Sequence, residues 1–235
     1  EIGACDWSSD VCSSDLFFHW GLHPWAIYAA IAIPLAYFHF SRGLPMAPRS
    51  MLYPLLGSRI YGWPGHVVDT LCTVGTLFGV ATSLGLGSAQ INAGLERLVG
   101  LEQTSTAQVG IVIAITAVAT VSVVSGVKVG IRRLSEGNIA LMGLLLIFML
   151  VAGPTIFQLD LFVSALGDYL QHLPELSLGS TPVADGLDSE AAQWQQTWTL
   201  FYWSWWISWS PFVGVFTARI SKGRTVREFV LVALL

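Results

Sequence analysis

Five stretches of this chain, Phe17–Phe40, Val67–Gly87, Val109–Val127, Ile139–Phe157 and Trp198–Ala218, are apolar throughout, with Asp69 the one charged side chain among them; a sixth runs from Val226 to Leu235. At about 1.5 Å of rise per residue, about 20 helical residues cross a hydrocarbon core about 30 Å thick, so each stretch is long enough to span a bilayer. Composition agrees. The chain is 54% hydrophobic and 11% charged, where a soluble domain carries about 25% charged residues. A water-soluble globule is excluded, and nothing in the charge pattern points to nucleic acid.

Residues 1–16 stand apart. Cys5 to Leu16 spells CDWSSDVCSSDL, which reads as a translated sequencing adapter joined to coding sequence near Phe17, and such segments are set aside before fold reasoning. Cys5 and Cys12 go with them. Cys72 alone remains, in an apolar run, and neither a disulfide framework nor a metal-ligand spacing is present.

The connections alternate in charge. Arg42, Arg49 and Arg59 follow the first stretch, Lys128, Arg132 and Arg133 the third, and Arg219, Lys222, Arg224 and Arg227 the fifth, whereas Arg97 alone follows the second and no cation follows the fourth. Ten of the 11 cations therefore fall on one side, the pattern of the positive-inside rule. On the other side, residues 160–173 carry apolar side chains at helical spacing, which predicts an amphipathic helix lying along the outer interface. The Gly-, Pro- and acid-containing stretch LGSTPVADGLDSEAAQ that follows reads as a loop.

Aromatic residues concentrate in the fifth stretch, which begins WTLFYWSWWISWSPFVG. Trp and Tyr favour membrane interfaces. Counted from Thr197, however, Trp206 and Trp209 lie roughly 14 to 18 Å deep, near the midplane. Trp198, Tyr202, Trp206, Trp209 and Val213 recur every three or four positions and form one stripe, either a packing face or a face turned to a ligand. Pro211 in the same stretch deprives the Ile207 carbonyl of its helical partner. Freed carbonyls at membrane depth are tolerated only inside protein or beside a wet cavity; the kink this predicts serves packing or a site.

In the first stretch, HWGLHPWAIYA puts Trp20, Trp25 and Tyr28 on one broad face of a helix loosened by Gly21 and Pro24. His19 and His23 are four residues apart, but no third metal ligand is in reach. Rings without carboxylates suit a quaternary ammonium, which has no N–H to donate and sheds water readily. A carboxylate in their place would carry a heavy desolvation cost. In the second stretch, Gly75, Gly79, Ser83 and Gly87 form a small-residue seam for a neighbouring helix. Thr70, Thr73, Thr76 and Thr82 offer hydroxyl oxygens, and Asp69 reads as a charge favoured near a helix N-terminus. No intramembrane pair of titratable groups and no nucleophile with a base stands out, which argues against an enzyme.

The blocks FFHWGLHPWAIYA, GHVVDTL, SLGLGSAQINAGL and WTLFYWSWWISWSPFVGVFTARISKGRTVREF resemble the betaine/choline/carnitine transporter family, in the family's order and over nearly the whole chain after Leu16. The resemblance implies an all-α polytopic membrane protein with the LeuT-type fold of two inverted repeats, of whose 12 spans this chain would hold four to eight and the start of nine. It implies a homotrimer in the bacterial inner membrane that moves a quaternary ammonium osmolyte by sodium-coupled symport, or by sodium-independent antiport. It assigns Trp20, Trp25, Tyr28 and Trp206 to an aromatic substrate box, and Trp205 and Trp209 to the substrate path. The sodium site it implies falls on Thr76, Val80 and Phe212, where Val80 supplies no hydroxyl. No organic cofactor is expected, only sodium as a coupling ion.

Overall fold

The computed structural model describes residues 16–125, 130, 132–179 and 190–234, and among these every regular element is helical. The long helices are α1 (Leu22–Ala36), α2 (Trp63–Val99), α3 (Ser105–Val124), α4 (Arg132–Ala152), α5 (Thr155–Gln171), α6 (Phe201–Ile220) and α7 (Val226–Leu234). The adapter-like residues 1–15, positions 126–127 of the third stretch and most of the acidic loop lie outside the described residues.

Among the described residues, four helical segments are long and apolar enough to cross a membrane: Leu16–Ser41, Trp63–Val99, Ser105–Val124 and Arg132–Ala152. The first is not uniform. It breaks at Gly21, restarts at Leu22 and ends in a π-helical turn at Tyr37–Ser41. Helix α6 has the length, 20 residues, but is not among the four. Its many Trp, Tyr and Ser residues lower its hydropathy while still suiting a protein-facing surface.

Around Pro154 two boundaries differ from expectation. The apolar run Ile139–Phe157 is not one helix, because α4 ends at Ala152 and α5 begins at Thr155. Pro154 has no N–H to continue the ladder, and the ends are closed locally by Gly153 N–H on the Met149 carbonyl at 3.0 Å and by the Thr155 hydroxyl on the Leu150 carbonyl. The amphipathic helix accordingly runs over Thr155–Gln171, starting earlier than residue 160, and stops at His172 ahead of a short helix, Leu173–Leu178.

The chain divides into two compact units, one comprising residues up to Val80 and from Leu161 onward, the other Ala81–Asp160. In the second unit, Gly100 ends α2 in the left-handed conformation (φ +74°) that glycine adopts without penalty. Buried Asn92 donates to the carbonyls of Leu101 and Glu102, both at 3.3 Å, and Thr104 caps α3 by accepting from Ala107 N–H at 3.2 Å. Helices α3 and α4 bury none of their own side chains; they are apolar all round, as membrane helices are.

In the first unit, α1 packs against α6. Ala32, Leu35 and Ala218 form the buried centre, with Met46, Met51, Val215 and Phe229 packed around it. Contact is close because Gly214 has no side chain: a Cβ there would lie 2.4 Å from Ile31 Cγ2. Asp69 takes a different role from the helix-terminal charge expected of it. It accepts from the Arg49 backbone N–H at 2.8 Å and pairs with Arg49 Nε at 2.5 Å, so it anchors the connection before α2.

Candidate functional site

The ring layer is built where the break in the first span meets α6. Helix termini leave backbone groups without intrahelical partners, and the interruption at Gly21 opens the turn that carries His19. Trp206 Nε1 donates to the His19 carbonyl at 2.9 Å, a bond between residues 187 apart in sequence. The His19 ring is itself held, with Nε2 3.2 Å from Thr199 Oγ1 and its plane beside Tyr202 at 5.0 Å. His19, Thr199 and Trp206 are all buried. His23 takes other partners, Ser177 and Tyr169, so the two histidines do not face a common point.

Around that bond the rings gather. Trp20 meets Trp206 edge to face at 4.8 Å, and Tyr28 stands 6.4 Å from Trp206 at 82°. Trp25 joins through Tyr28, at 5.7 Å and 89°. On the α6 side, Trp205 stacks on Trp206 at 4.7 Å, and Tyr202 stacks on Trp206 at 5.9 Å and on Trp198 at 6.2 Å. Edge-to-face and offset contacts of this kind each contribute about 0.5–1.5 kcal/mol beyond area burial, so the layer is a stiff unit.

Its open and closed sides differ. Tyr28 and Trp206 are 7% and 6% exposed, whereas Trp20 and Trp25 are 47% and 43% exposed. A cation lies within about 6 Å of the rings that hold it, and Trp20 and Trp206 already touch each other. Because Trp20 and Trp206 touch each other, the exposed ring surface of the layer is that of Trp20 and Trp25, with Tyr28 and Trp206 buried behind it.

Trp209 is not brought into this layer. The stripe from Trp198 through Tyr202 to Trp206 ends there, and the Trp209 ring lies on α2, where a Cβ at Gly79 would meet Trp209 Cε3 at 2.8 Å. Phe212 packs on Trp209 at 5.2 Å and is itself 53% exposed. The glycine seam thus receives α6 at Gly75, beside the Ser208 backbone, and at Gly79. Thr76 sits between these contacts, and its hydroxyl donates to the Cys72 carbonyl at 2.9 Å, leaving lone pairs but no free proton. Pro211 leaves α6 continuous, and the Ile207 carbonyl it deprives accepts from Ser210 Oγ at 2.7 Å.

Sequence reasoning missed His19, Thr199, Trp203 and Tyr169 as parts of this assembly. Trp203 packs on Phe18 at 5.1 Å and on His23 at 5.6 Å. Phe17, Phe18 and His19 precede the break in consecutive order, which was the available signal.

Comparison with known proteins gives a consistent result. A family model described as betaine/carnitine/choline family transporter matches residues 9–235, so the match begins inside the adapter-like stretch. A glycine betaine/proline/choline transporter of Vibrio parahaemolyticus is 46% identical over 234 residues, which are 100% of this chain and 41% of that protein. The glycine betaine transporter OpuD of Bacillus subtilis is 46% identical over 92% of this chain and 41% of its own length. An uncharacterized transporter of Mycobacterium tuberculosis is 50% identical over 93% of this chain and 36% of its own length. The chain thus spans about two fifths of the length of the curated relatives it matches (41%, 41% and 36%).

Proposed function

The chain belongs to the betaine/carnitine/choline transporter family, a family of transporters and not of enzymes, and it is a multi-pass membrane protein; we propose that it serves secondary active transport of a quaternary ammonium osmolyte of the glycine betaine type, coupled to sodium. The observation that carries this reading is the meeting of Trp20 and Tyr28 with Trp206 across two helices, with Trp25 and Trp205 at the edges. At about 1–2 kcal/mol per desolvated ring, three or four rings supply binding in the millimolar to micromolar range, tight enough to select and weak enough to release. The names of the Vibrio and Bacillus relatives support the substrate class.

In this proposal Trp20, Trp25, Tyr28 and Trp206 hold the methylated nitrogen, Trp205 backs Trp206, Trp209 lines the approach along α2, and Phe212 belongs with Thr76 to the sodium site. Thr76 is the proposed sodium ligand. The assembly is a homotrimer in a bacterial plasma membrane, of the LeuT-type fold. Uptake of radiolabelled glycine betaine by the complete protein tests the cage: Trp206→Ala is expected to abolish saturable uptake, and unchanged kinetics would discard it.

A sodium-independent substrate/product antiporter is the second reading. Val80, one turn from Thr76, offers no oxygen, and the Thr76 hydroxyl proton is committed to Cys72. Uptake measured in sodium against potassium buffer separates the two, because only the symporter loses activity when sodium is replaced.

A further inference from the structure

The break at Gly21 is held from outside its own helix. Tyr169, on α5, is 4% exposed and stacks on Phe17 at 5.9 Å and 24°. Its hydroxyl lies 3.3 Å from His23 Nδ1. Phe17 precedes the break at Gly21 and His23 lies in the first turn of α1, so Tyr169 touches both sides of the interruption. At the other side of the imidazole, Nε2 is 2.8 Å from Ser177 Oγ, and the Ser177 hydroxyl donates to the Leu173 carbonyl at 2.6 Å.

The proton positions follow. Ser177 has spent its hydrogen on Leu173, so Oγ accepts and Nε2 carries the imidazole hydrogen; Nδ1 then accepts from Tyr169. Burial pushes the Tyr169 phenol above its ordinary range, so the group is a neutral donor.

We propose that Tyr169 is a positioning residue for the substrate site, bridging Phe17 and His23 across the interruption of the first span and so fixing the break that turns the His19 carbonyl to Trp206 Nε1 and sets Trp20 against Trp206. The lever is short, since Phe17 and His23 enclose His19, Trp20 and Gly21. The outer-interface helix thereby acts on the ring layer without touching the substrate. This role rests on the aromatic cage proposed above.

Tyr169→Phe keeps the ring and its stack on Phe17 and deletes only the hydroxyl. In the complete protein it is expected to raise the KM for glycine betaine about fivefold, ~1 kcal/mol at 1.4 kcal/mol per decade, with the maximal rate held within about twofold. Intrinsic tryptophan fluorescence of the purified protein, titrated with glycine betaine, is expected to show the same loss of affinity. An unchanged KM and affinity overturns the proposal. So does a fall in maximal rate at constant KM, or loss of the protein from the membrane, either of which marks a tyrosine that only supports the fold. Trp206→Ala in the same assays separates the failures: normal uptake there removes the cage and this role with it, whereas lost uptake there beside a normal Tyr169→Phe removes the role of Tyr169 alone.

Discussion

The first span and α6 each carry a helix breaker close to the ring layer, and each resolves the orphaned carbonyl by a different route. At Gly21 the opened turn gives its His19 carbonyl to Trp206, on another helix. At Pro211 the Ile207 carbonyl is taken by Ser210, one residue away on the same helix. A carbonyl satisfied from within leaves the helix self-contained, and α6 runs on unbroken to Ile220. A carbonyl satisfied from elsewhere ties two helices to a single geometry, so movement of either changes both. By this contrast the break at Gly21 belongs to the site, and the proline belongs to packing.

The sharpest way to break the comparison is to separate the two helices. Gly214→Val puts a branched side chain where Ile31 Cγ2 and Cβ lie 2.4 and 2.8 Å from the new Cβ, and Ile is stiff at χ1. Overpacking of this kind costs about 3 kcal/mol. The expected result is loss of monodisperse protein in detergent gel filtration, with no saturable uptake left to measure.

Two smaller changes address the break itself. In Gly21→Ala the added Cβ meets the Phe17 carbonyl oxygen at 2.5 Å, and the turn must shift, carrying His19 and Trp20 with it. Affinity for glycine betaine is expected to fall about tenfold, ~1.4 kcal/mol. Trp206→Phe keeps a ring but removes Nε1–H and with it the bond to the His19 carbonyl, so affinity falls about fivefold, ~1 kcal/mol. Both are read as KM in uptake assays, and a normal KM in both would reduce the break to packing.

How much of this was legible beforehand follows from the range of each interaction. Trp20, Tyr28 and Trp206 could be picked out because ring spacing along a helix, with Gly21 and Pro24 beside them, is local information. Trp209 shares the spacing of Trp206, yet its ring settles in the gap at Gly79; periodicity alone does not say which neighbour a stripe meets when its face is wide. Asp69 looked like a terminal charge because its partner, Arg49, sits in an irregular connection with no pattern to read. Tyr169 lay on the apolar face of an amphipathic helix, and nothing local could show its hydroxyl reaching His23, 146 residues away. The run from Ile139 to Phe157 hid a helix end, since hydropathy is blind to the missing N–H of Pro154.

The smallest expected effect tests the local half of the contrast. Ser210→Ala leaves the Ile207 carbonyl without the hydroxyl it now accepts, at a cost of about 1 kcal/mol in stability, visible as a lower melting temperature with KM unchanged. Pro211→Ala supplies a backbone N–H that can bond the same carbonyl, so the hydroxyl of Ser210 becomes redundant. In the double variant the penalty of Ser210→Ala should therefore shrink, giving a coupling energy of about 0.5–1 kcal/mol between adjacent positions. If Ser210→Ala costs the same with and without Pro211, the hydroxyl is not compensating for the proline. The Ile207 carbonyl must then be satisfied from outside α6, which would make the two helices alike and remove the ground for assigning Gly21 to the site and Pro211 to packing.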